Sequence, residues 1–169
     1  VGMGDIGSNF GRRLKAMGAT VRGVRRTQKA KPDWCDEAYT IDQLEDAVRG
    51  ADAVAFCLPG TDSTKNVLDQ AVIDAMAQDA YVINVGRGTA IDQEALFAAL
   101  KSGKLAGAAL DVADPEPLPQ DHPLYRLPNA VITPHIRSAG RTTRARMAEV
   151  AGENLLAVLE GREPPNPVV

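Results

Sequence analysis

The chain has 169 residues, 44% of them apolar, and a formal net charge of −3 at pH 7. This size and composition predict one globular domain and are short for two complete domains. No block of like charges indicates a nucleic-acid partner, and no apolar stretch approaches the roughly 20 residues that span a bilayer, so neither nucleic acid nor membrane is expected. Two cysteines are too few for a disulfide framework, which favours a reducing, cytoplasmic location.

Predicted strands and helices alternate along the chain. Apolar runs between turn residues predict strands at 20–24, 53–58, 80–85, 105–111 and 130–133. Apolar residues three or four apart predict helices at 6–17, 41–49, 68–76, 94–101 and 142–160. Five prolines predict a rigid loop at 113–128, and the end of the chain, 164–169, is predicted as an extended tail. This alternation predicts an α/β fold with a doubly wound parallel sheet of the Rossmann type.

A glycine cluster opens the chain, with Gly2, Gly4 and Gly7 spaced as GxGxxG directly before the first predicted helix. In that context Gly2 allows a tight turn, Gly4 lets the backbone approach a diphosphate, and Gly7 lets the helix pack closely. The helix N-terminus offers N–H groups and a partial positive charge to the phosphates. We therefore predict a dinucleotide site; the alternative is a glycine-rich turn without a ligand.

The end of the next predicted strand lacks the acid that normally stands some 20 residues beyond the glycines and selects NAD(H). Arg25, Arg26 and Thr27 occupy that place, and the nearest following acid is Asp33. Guanidinium groups and a hydroxyl suit a 2′-phosphate, so NADP(H) is predicted as the preferred cofactor, with NAD(H) as the second choice. The alternative is a solvated arginine pair, with the adenosine bound loosely.

Three later strands are predicted to end in polar residues. Arg87 follows one strand, Asp111 and Glu116 follow the next, and His135 follows the last. Because the carboxyl ends of parallel strands line one crevice, these side chains are expected to converge beside the nicotinamide. An arginine binds carboxylates, and a histidine beside a carboxylate transfers protons near neutral pH, as reduction of a 2-keto acid requires. No metal site is predicted.

These motifs together resemble the cofactor-binding domain of the D-isomer-specific 2-hydroxyacid dehydrogenases. The resemblance covers residues 1–169 and rests on the glycine motif, Leu58 with Pro59, the turn 84–88, the segment 107–117, and Pro134 with His135. It implies hydride transfer between a nicotinamide cofactor and a D-2-hydroxy acid/2-keto acid pair. Formate dehydrogenases are similar but have an amide where Glu116 stands, which favours the hydroxyacid branch.

The resemblance also implies roles for individual residues. Arg87 would bind the substrate carboxylate and carbonyl, His135 would donate or accept the proton, and Glu116 would hydrogen-bond His135. The implied cofactor contacts, besides the three glycines, Arg26 and Thr27, are Asp5, Ile6, Arg25, Leu58, Pro59, Thr64, Val85, Gly86, Arg87, Asp111, His135 and Ser138.

The resemblance further implies a two-domain enzyme and a homodimer formed mainly through the cofactor domain. Residues 1–138 would be the dinucleotide-binding domain, and 139–169 a helix and tail returning toward a substrate domain whose amino-terminal part is absent. A strand normally precedes the glycine motif, and the sequence has no initiator Met. We therefore expect the sequence to be part of a longer protein.

Some residues and one other protein class leave alternatives open. Ala113 stands where a bulky residue is common in the family, and Arg137 where a small one is; Arg137 would favour a more anionic substrate, serve a subunit contact or face solvent. His122 is interpreted as a turn residue and Cys57 as buried core packing. The alternative function is that of the dehydrogenase-like transcriptional corepressors, nucleotide-sensing interaction proteins that retain the same Arg, Glu and His.

Overall fold

The computed structural model describes residues 1–167 and consists of two compact units. The first unit, Val1–Pro134, contains all the strands found in the described part of the chain. The second unit begins at His135 and contains the long last helix. No helix within residues 1–167 is both long and apolar enough to cross a membrane.

Parallel strands form the framework of the first unit. Their bounds are β1 Arg22–Arg25, β2 Glu37–Thr40, β3 Ala53–Phe56, β4 Ala80–Asn84, β5 Leu105–Leu110 and β6 Ala130–Ile132. Strands β1 and β2 pair with each other, and the other four form a sheet in the order β3-β4-β5-β6. Every pairing is parallel, with Ala53 opposite Tyr81 and Ala108 opposite Ala130. This confirms the predicted parallel α/β architecture.

Val1 and Gly2 connect the two sheets through backbone hydrogen bonds. Val1 donates to the carbonyl of Ala55 at 2.7 Å and accepts from the N–H of Cys57 at 2.8 Å. On the other side, the N–H of Gly2 donates to the carbonyl of Val24 at 2.8 Å. Val1 and Gly2 therefore lie between β1 and β3, and the glycine turn begins where these strands end.

Within the described residues, one α-helix precedes the first strand, three lie in the connections between later strands, and one follows the last strand. Their bounds are α1 Asp5–Ala16, α2 Leu44–Val48, α3 Gln70–Ala75, α4 Gln93–Ser102 and, in the second unit, α5 Arg141–Leu159. Short 3-10 helices are Ile41–Gln43, Asp62–Thr64, Gly88–Ala90 and Pro123–Arg126. Side chains cap two of the α-helices: Asp69 accepts from the N–H of Val72, and Asp92 from those of Glu94 and Ala95, each at 3.0 Å.

A continuous apolar core lies between the four-stranded sheet and helices α2 to α4. Its fully buried large side chains include Phe56, Leu68, Ile73, Leu96 and Leu105. The opposite face of the sheet is more open, because Tyr81 on β4 and Val131 on β6 are 53% and 61% exposed. Although the predicted strand at 80–85 is almost entirely apolar in sequence, it is therefore not buried at Tyr81.

The structure corrects several predicted elements. Strand β2 has no counterpart among the predicted strands, because Glu37–Thr40 is short and mixes polar with apolar residues. The helix predicted at 41–49 begins as a 3-10 turn, and the loop at 113–128 contains another. Cys57 lies just beyond β3 and is only half-buried, whereas the fully buried thiol is Cys35, whose Sγ donates to the carbonyl of Glu37 at 2.8 Å.

Candidate active site

The glycine turn leads from Val1, which is hydrogen-bonded to the end of β3, into the start of α1. Gly2 has φ +93°, and a Cβ there would lie 2.7 Å from the carbonyl oxygen of Cys57. A Cβ on Gly7 would lie 1.9 Å from the carbonyl oxygen of Gly2, so the turn closes against the helix only with glycine. Gly4 is the N-cap of α1, and a Cβ there would meet no protein atom within 4 Å. The N-terminus of α1, with Asp5 and Ile6 exposed, thus faces open space, as anion binding requires.

The residues predicted to select the cofactor lie at the end of β1. The guanidinium of Arg25 donates to the carbonyls of Lys29 and Ala30 and so closes the loop that follows the strand. Arg26 and Thr27 are exposed beside it. Arg25 therefore has a structural task that the sequence pattern does not reveal, while Arg26 and Thr27 point to the surface.

The segment after β3 contains three of the predicted cofactor contacts. Leu58 is half-buried and Pro59 is exposed. The hydroxyl of Thr64 donates to the carbonyl of Pro59 at 2.7 Å and accepts from the N–H of Thr61 at 2.9 Å. Thr64 therefore stabilises the turn that presents Pro59.

Asn84 organises the turn that carries Arg87. Its side chain is fully buried, donates from Nδ2 to the carbonyl of Arg87 at 3.0 Å and accepts the N–H of Gly86 at Oδ1 at 2.9 Å. Arg87 is exposed, its Nη1 donates to the carbonyl of Gly86 at 2.9 Å, and its Cγ lies near Gly60, where a Cβ would be 3.1 Å away. The sequence pattern indicates this turn but not the buried role of Asn84.

Two contacts hold the loop that carries Glu116. A Cβ on Gly88 would lie 1.9 Å from the carbonyl of Ala113, so the loop packs directly on the 3-10 helix Gly88–Ala90. The side chain of Gln93 donates to the carbonyl of Asp114 and accepts its N–H at 3.3 Å. Gln93 is absent from the predicted site, and no local sequence signal marks a partner 21 residues away.

Asp111 and Glu116 follow β5 in different surroundings. Asp111 is 8% exposed, and its Oδ1 accepts the hydroxyl of Thr133 at 2.6 Å. Glu116 is exposed and lines two cavities. One, of about 460 Å³, also has Arg87, Lys65 and Asp62 in its wall; the other, of about 530 Å³, has Asp111 and Thr133.

The second unit contains the remaining predicted residues. His135 is half-buried and has φ +52°, in the left-handed region where histidine is enriched among non-glycine residues. Ser138 is half-buried and Arg137 is exposed, and α5 starts three residues beyond Ser138 at Arg141. Ala113, the other departure from the family pattern, lies in the first unit in the loop against Gly88.

The first unit therefore brings together, at the carboxyl edge of its sheet, an anion-accepting helix N-terminus, a guanidinium and two carboxylates. The helix end suits a diphosphate, and Arg87 suits a second, smaller anion beside it.

His122, predicted as a turn residue, is at the N-cap of Pro123–Arg126, where its Nδ1 accepts the N–H of Leu124 at 3.3 Å.

Comparison with known proteins places this geometry in a family. Residues 1–137 match the family model described as D-isomer specific 2-hydroxyacid dehydrogenase, NAD binding domain. A glyoxylate reductase from Korarchaeum cryptofilum is 39% identical over 169 residues, covering 98% of this chain and 50% of that protein. The chain thus spans about half the length of the curated relatives it matches.

Solved structures agree in fold over 99% of this chain. A protein from Thermus thermophilus is 54% identical with a TM-score of 0.85 and is covered over 52% of its length. A D-isomer-specific 2-hydroxyacid dehydrogenase from Xanthobacter autotrophicus Py2, in complex with NADPH and MES, is 33% identical with a TM-score of 0.90 and is covered over 68%. The chain therefore belongs to the D-isomer-specific 2-hydroxyacid dehydrogenase family, of which it contains the NAD-binding domain.

Proposed function

We propose that this protein is an NAD(P)-dependent oxidoreductase that interconverts a 2-keto acid and the corresponding D-2-hydroxy acid. The observation that carries the proposal is that Arg87 and Glu116 line one cavity at the carboxyl edge of the sheet. A guanidinium there can bind a substrate carboxylate, and the glycine turn beside it suits a dinucleotide. The matching glyoxylate reductases act on a substrate of this class by name.

The proposed roles of the residues follow from the chemistry of reducing a carbonyl. When bound, the nicotinamide supplies the hydride that the carbonyl carbon accepts. Arg87 binds the substrate carboxylate and polarises the carbonyl, and His135 delivers the proton to the carbonyl oxygen. Glu116 hydrogen-bonds His135 in this scheme. In the oxidation direction the same histidine accepts the proton.

For the cofactor, we propose a preference for NADP(H) over NAD(H). The support is the absence of an acid at the end of β1 and the exposure of Arg26 and Thr27 there. The Xanthobacter relative was solved in complex with NADPH, which supports the proposal that a cofactor with a 2′-phosphate can be bound. The remaining proposed cofactor contacts are Asp5, Ile6, Leu58, Pro59, Thr64, Val85, Gly86, Asp111 and Ser138.

A keto-acid panel on the full-length protein, with NADPH and NADH compared, tests the proposal. Oxidation of the reduced cofactor that depends on glyoxylate, hydroxypyruvate or another short 2-keto acid is the expected result. No turnover with any keto acid would instead favour the corepressor alternative. A clear advantage of NADH would refute the cofactor preference but leave the reaction class standing.

We further propose that residues 1–138 act as the cofactor domain of a two-domain, cytoplasmic homodimer. The relatives are about twice as long as this chain, and a protein of that length can contain a second domain. Sedimentation of the full-length protein at two concentrations would test the dimer, since a single species of monomer mass contradicts it.

A further inference from the structure

Thr133 and Asp111 form a side-chain pair across the ends of two neighbouring strands. Asp111 follows β5 and Thr133 follows β6, and the hydroxyl of Thr133 donates to Asp111 Oδ1 at 2.6 Å. A hydrogen bond to an ionised carboxylate is stronger than one between neutral groups, and a short O–H···O distance is typical of it.

The backbones of both residues are held by the continuing strand ladder. The N–H of Asp111 donates to the carbonyl of Asn84 at 2.9 Å, and the N–H of Thr133 donates to the carbonyl of Leu110 at 2.9 Å. With both backbones fixed in this way, the hydroxyl of Thr133 restricts the remaining side-chain rotation of Asp111. The direction of the carboxylate is thus set in part by a residue on another strand.

The location of the pair indicates more than a structural contact. Asp111 is 8% exposed, and burying a carboxylate costs free energy that an apolar side chain would not. Yet both Asp111 and Thr133 line the cavity of about 530 Å³ that Glu116 also lines. A buried carboxylate at the wall of a cavity is placed to accept a hydrogen bond from a bound molecule.

We propose that Thr133 is a positioning residue that aims the Asp111 carboxylate at the carboxamide of the bound nicotinamide. The inference rests on the proposed function, in which Asp111 is one of the residues that contact the bound cofactor. Orientation of the carboxamide would then depend on the hydroxyl of Thr133 as well as on Asp111 itself. Because hydrogen bonds to charged groups are among the stronger ones, misorientation of the Asp111 carboxylate should measurably weaken cofactor binding.

Thr133→Val tests this, since valine keeps the shape of threonine and removes the hydroxyl. We expect the Kd of the full-length protein for NADPH, measured by fluorescence titration, to rise about 10- to 100-fold. Thr133→Ser keeps a hydroxyl and should restore most of the affinity. Thr20→Val, an exposed threonine before β1, is the matched control and should bind like the wild type.

An Asp111→Asn background separates positioning from a direct contact. If Thr133 acts through Asp111, Thr133→Val should cost much less affinity in that background than in the wild type. Equal losses in both backgrounds, an unchanged Kd for Thr133→Val, or failure of that variant to fold would each overturn the inference. Cofactor titration needs no turnover, so a protein that reduces no keto acid would refute the proposed function without deciding the role of Thr133.

Discussion

At the residue scale, the two histidines have separate tasks that a pair of variants can distinguish. His135→Ala removes the proposed proton donor, and positioned general acids are typically worth about 10²- to 10⁴-fold in rate. We therefore expect kcat for keto-acid reduction to fall by about that factor while the Kd for NADPH stays near normal. His122→Ala is the matched control, because His122 caps a turn and should leave kcat unchanged. If His135→Ala turns over the keto acid as fast as the wild type, His135 is not the proton donor.

Arg26 offers the cleanest test of cofactor selection at the same scale. Arg25 donates to two loop carbonyls, so replacing it would disturb the loop as well as any phosphate contact. Arg26→Asp introduces the missing acid at an exposed position. We expect the ratio of kcat/KM for NADPH to that for NADH to fall by about tenfold or more, since charge-assisted hydrogen bonds are lost and repulsion is added. An unchanged ratio would show that Arg26 does not contact the 2′-phosphate.

At the scale of elements, two glycines of the turn have different roles: Gly7 allows the turn to pack against α1, and Gly4 lets a ligand approach the backbone. Gly7→Ala would place a Cβ 1.9 Å from the carbonyl oxygen of Gly2, and forced overpacking of this kind typically costs about 1–3 kcal/mol. Gly4→Ala meets no protein atom within 4 Å. We expect Gly7→Ala to lower both the free energy of unfolding and NADPH affinity, and Gly4→Ala to lower chiefly the affinity. Thermal unfolding and cofactor titration of both variants check this, and equal stability losses would contradict it.

The elements near the site also show the limit of sequence patterns. Local chemistry predicts the turn at 84–88 and the polar strand ends. It does not predict Gln93, which binds the backbone of Asp114, or Thr133, which binds Asp111. Their partners are 21 and 22 residues away, and a single sequence carries no signal for such a pairing. Strand β2 is not predicted because its four residues do not form an apolar run. Its pairing with β1 is seen only in the folded chain.

At the scale of the whole molecule, we expect Asp36 to make the stability of the first unit depend on pH. Lys15 Nζ donates to its Oδ1 at 2.6 Å and the N–H of Val21 donates to its Oδ2 at 2.8 Å, linking α1 to the residue before β1. These contacts, the Lys15 hydrogen bond first, lower the pKa of Asp36. A depressed carboxyl pKa stabilises the folded state above the unfolded value of about 4, and this stabilisation is lost as the pH falls through the folded pKa.

Asp36→Asn should therefore be less stable than the wild type at pH 7, and the difference should shrink as the pH falls below about 4. Denaturant unfolding of both proteins between about pH 7 and about pH 3 measures this. The control is Asp46→Asn, because Asp46 is also an exposed carboxyl and lies close to Arg49. If the difference in stability between Asp36→Asn and the wild type does not vary with pH, the linkage is excluded.

The sequence by itself determined the class of fold, the cofactor turn and the family. These depend on short-range chemistry: apolar periodicity sets strands and helices, and glycine spacing sets a turn that admits a diphosphate. Only the tertiary structure decided which side chains support the site: Asn84 under its turn, Gln93 on the loop of Glu116, Arg25 on its own loop, and Thr133 on Asp111. The reason is physical, since a hydrogen bond needs its two atoms within about 3 Å. For Gln93 and Thr133 only the folded chain brings together atoms that are 21 and 22 residues apart, and for Asn84 and Arg25, which bond within five residues, only the conformation of the turn selects the partner.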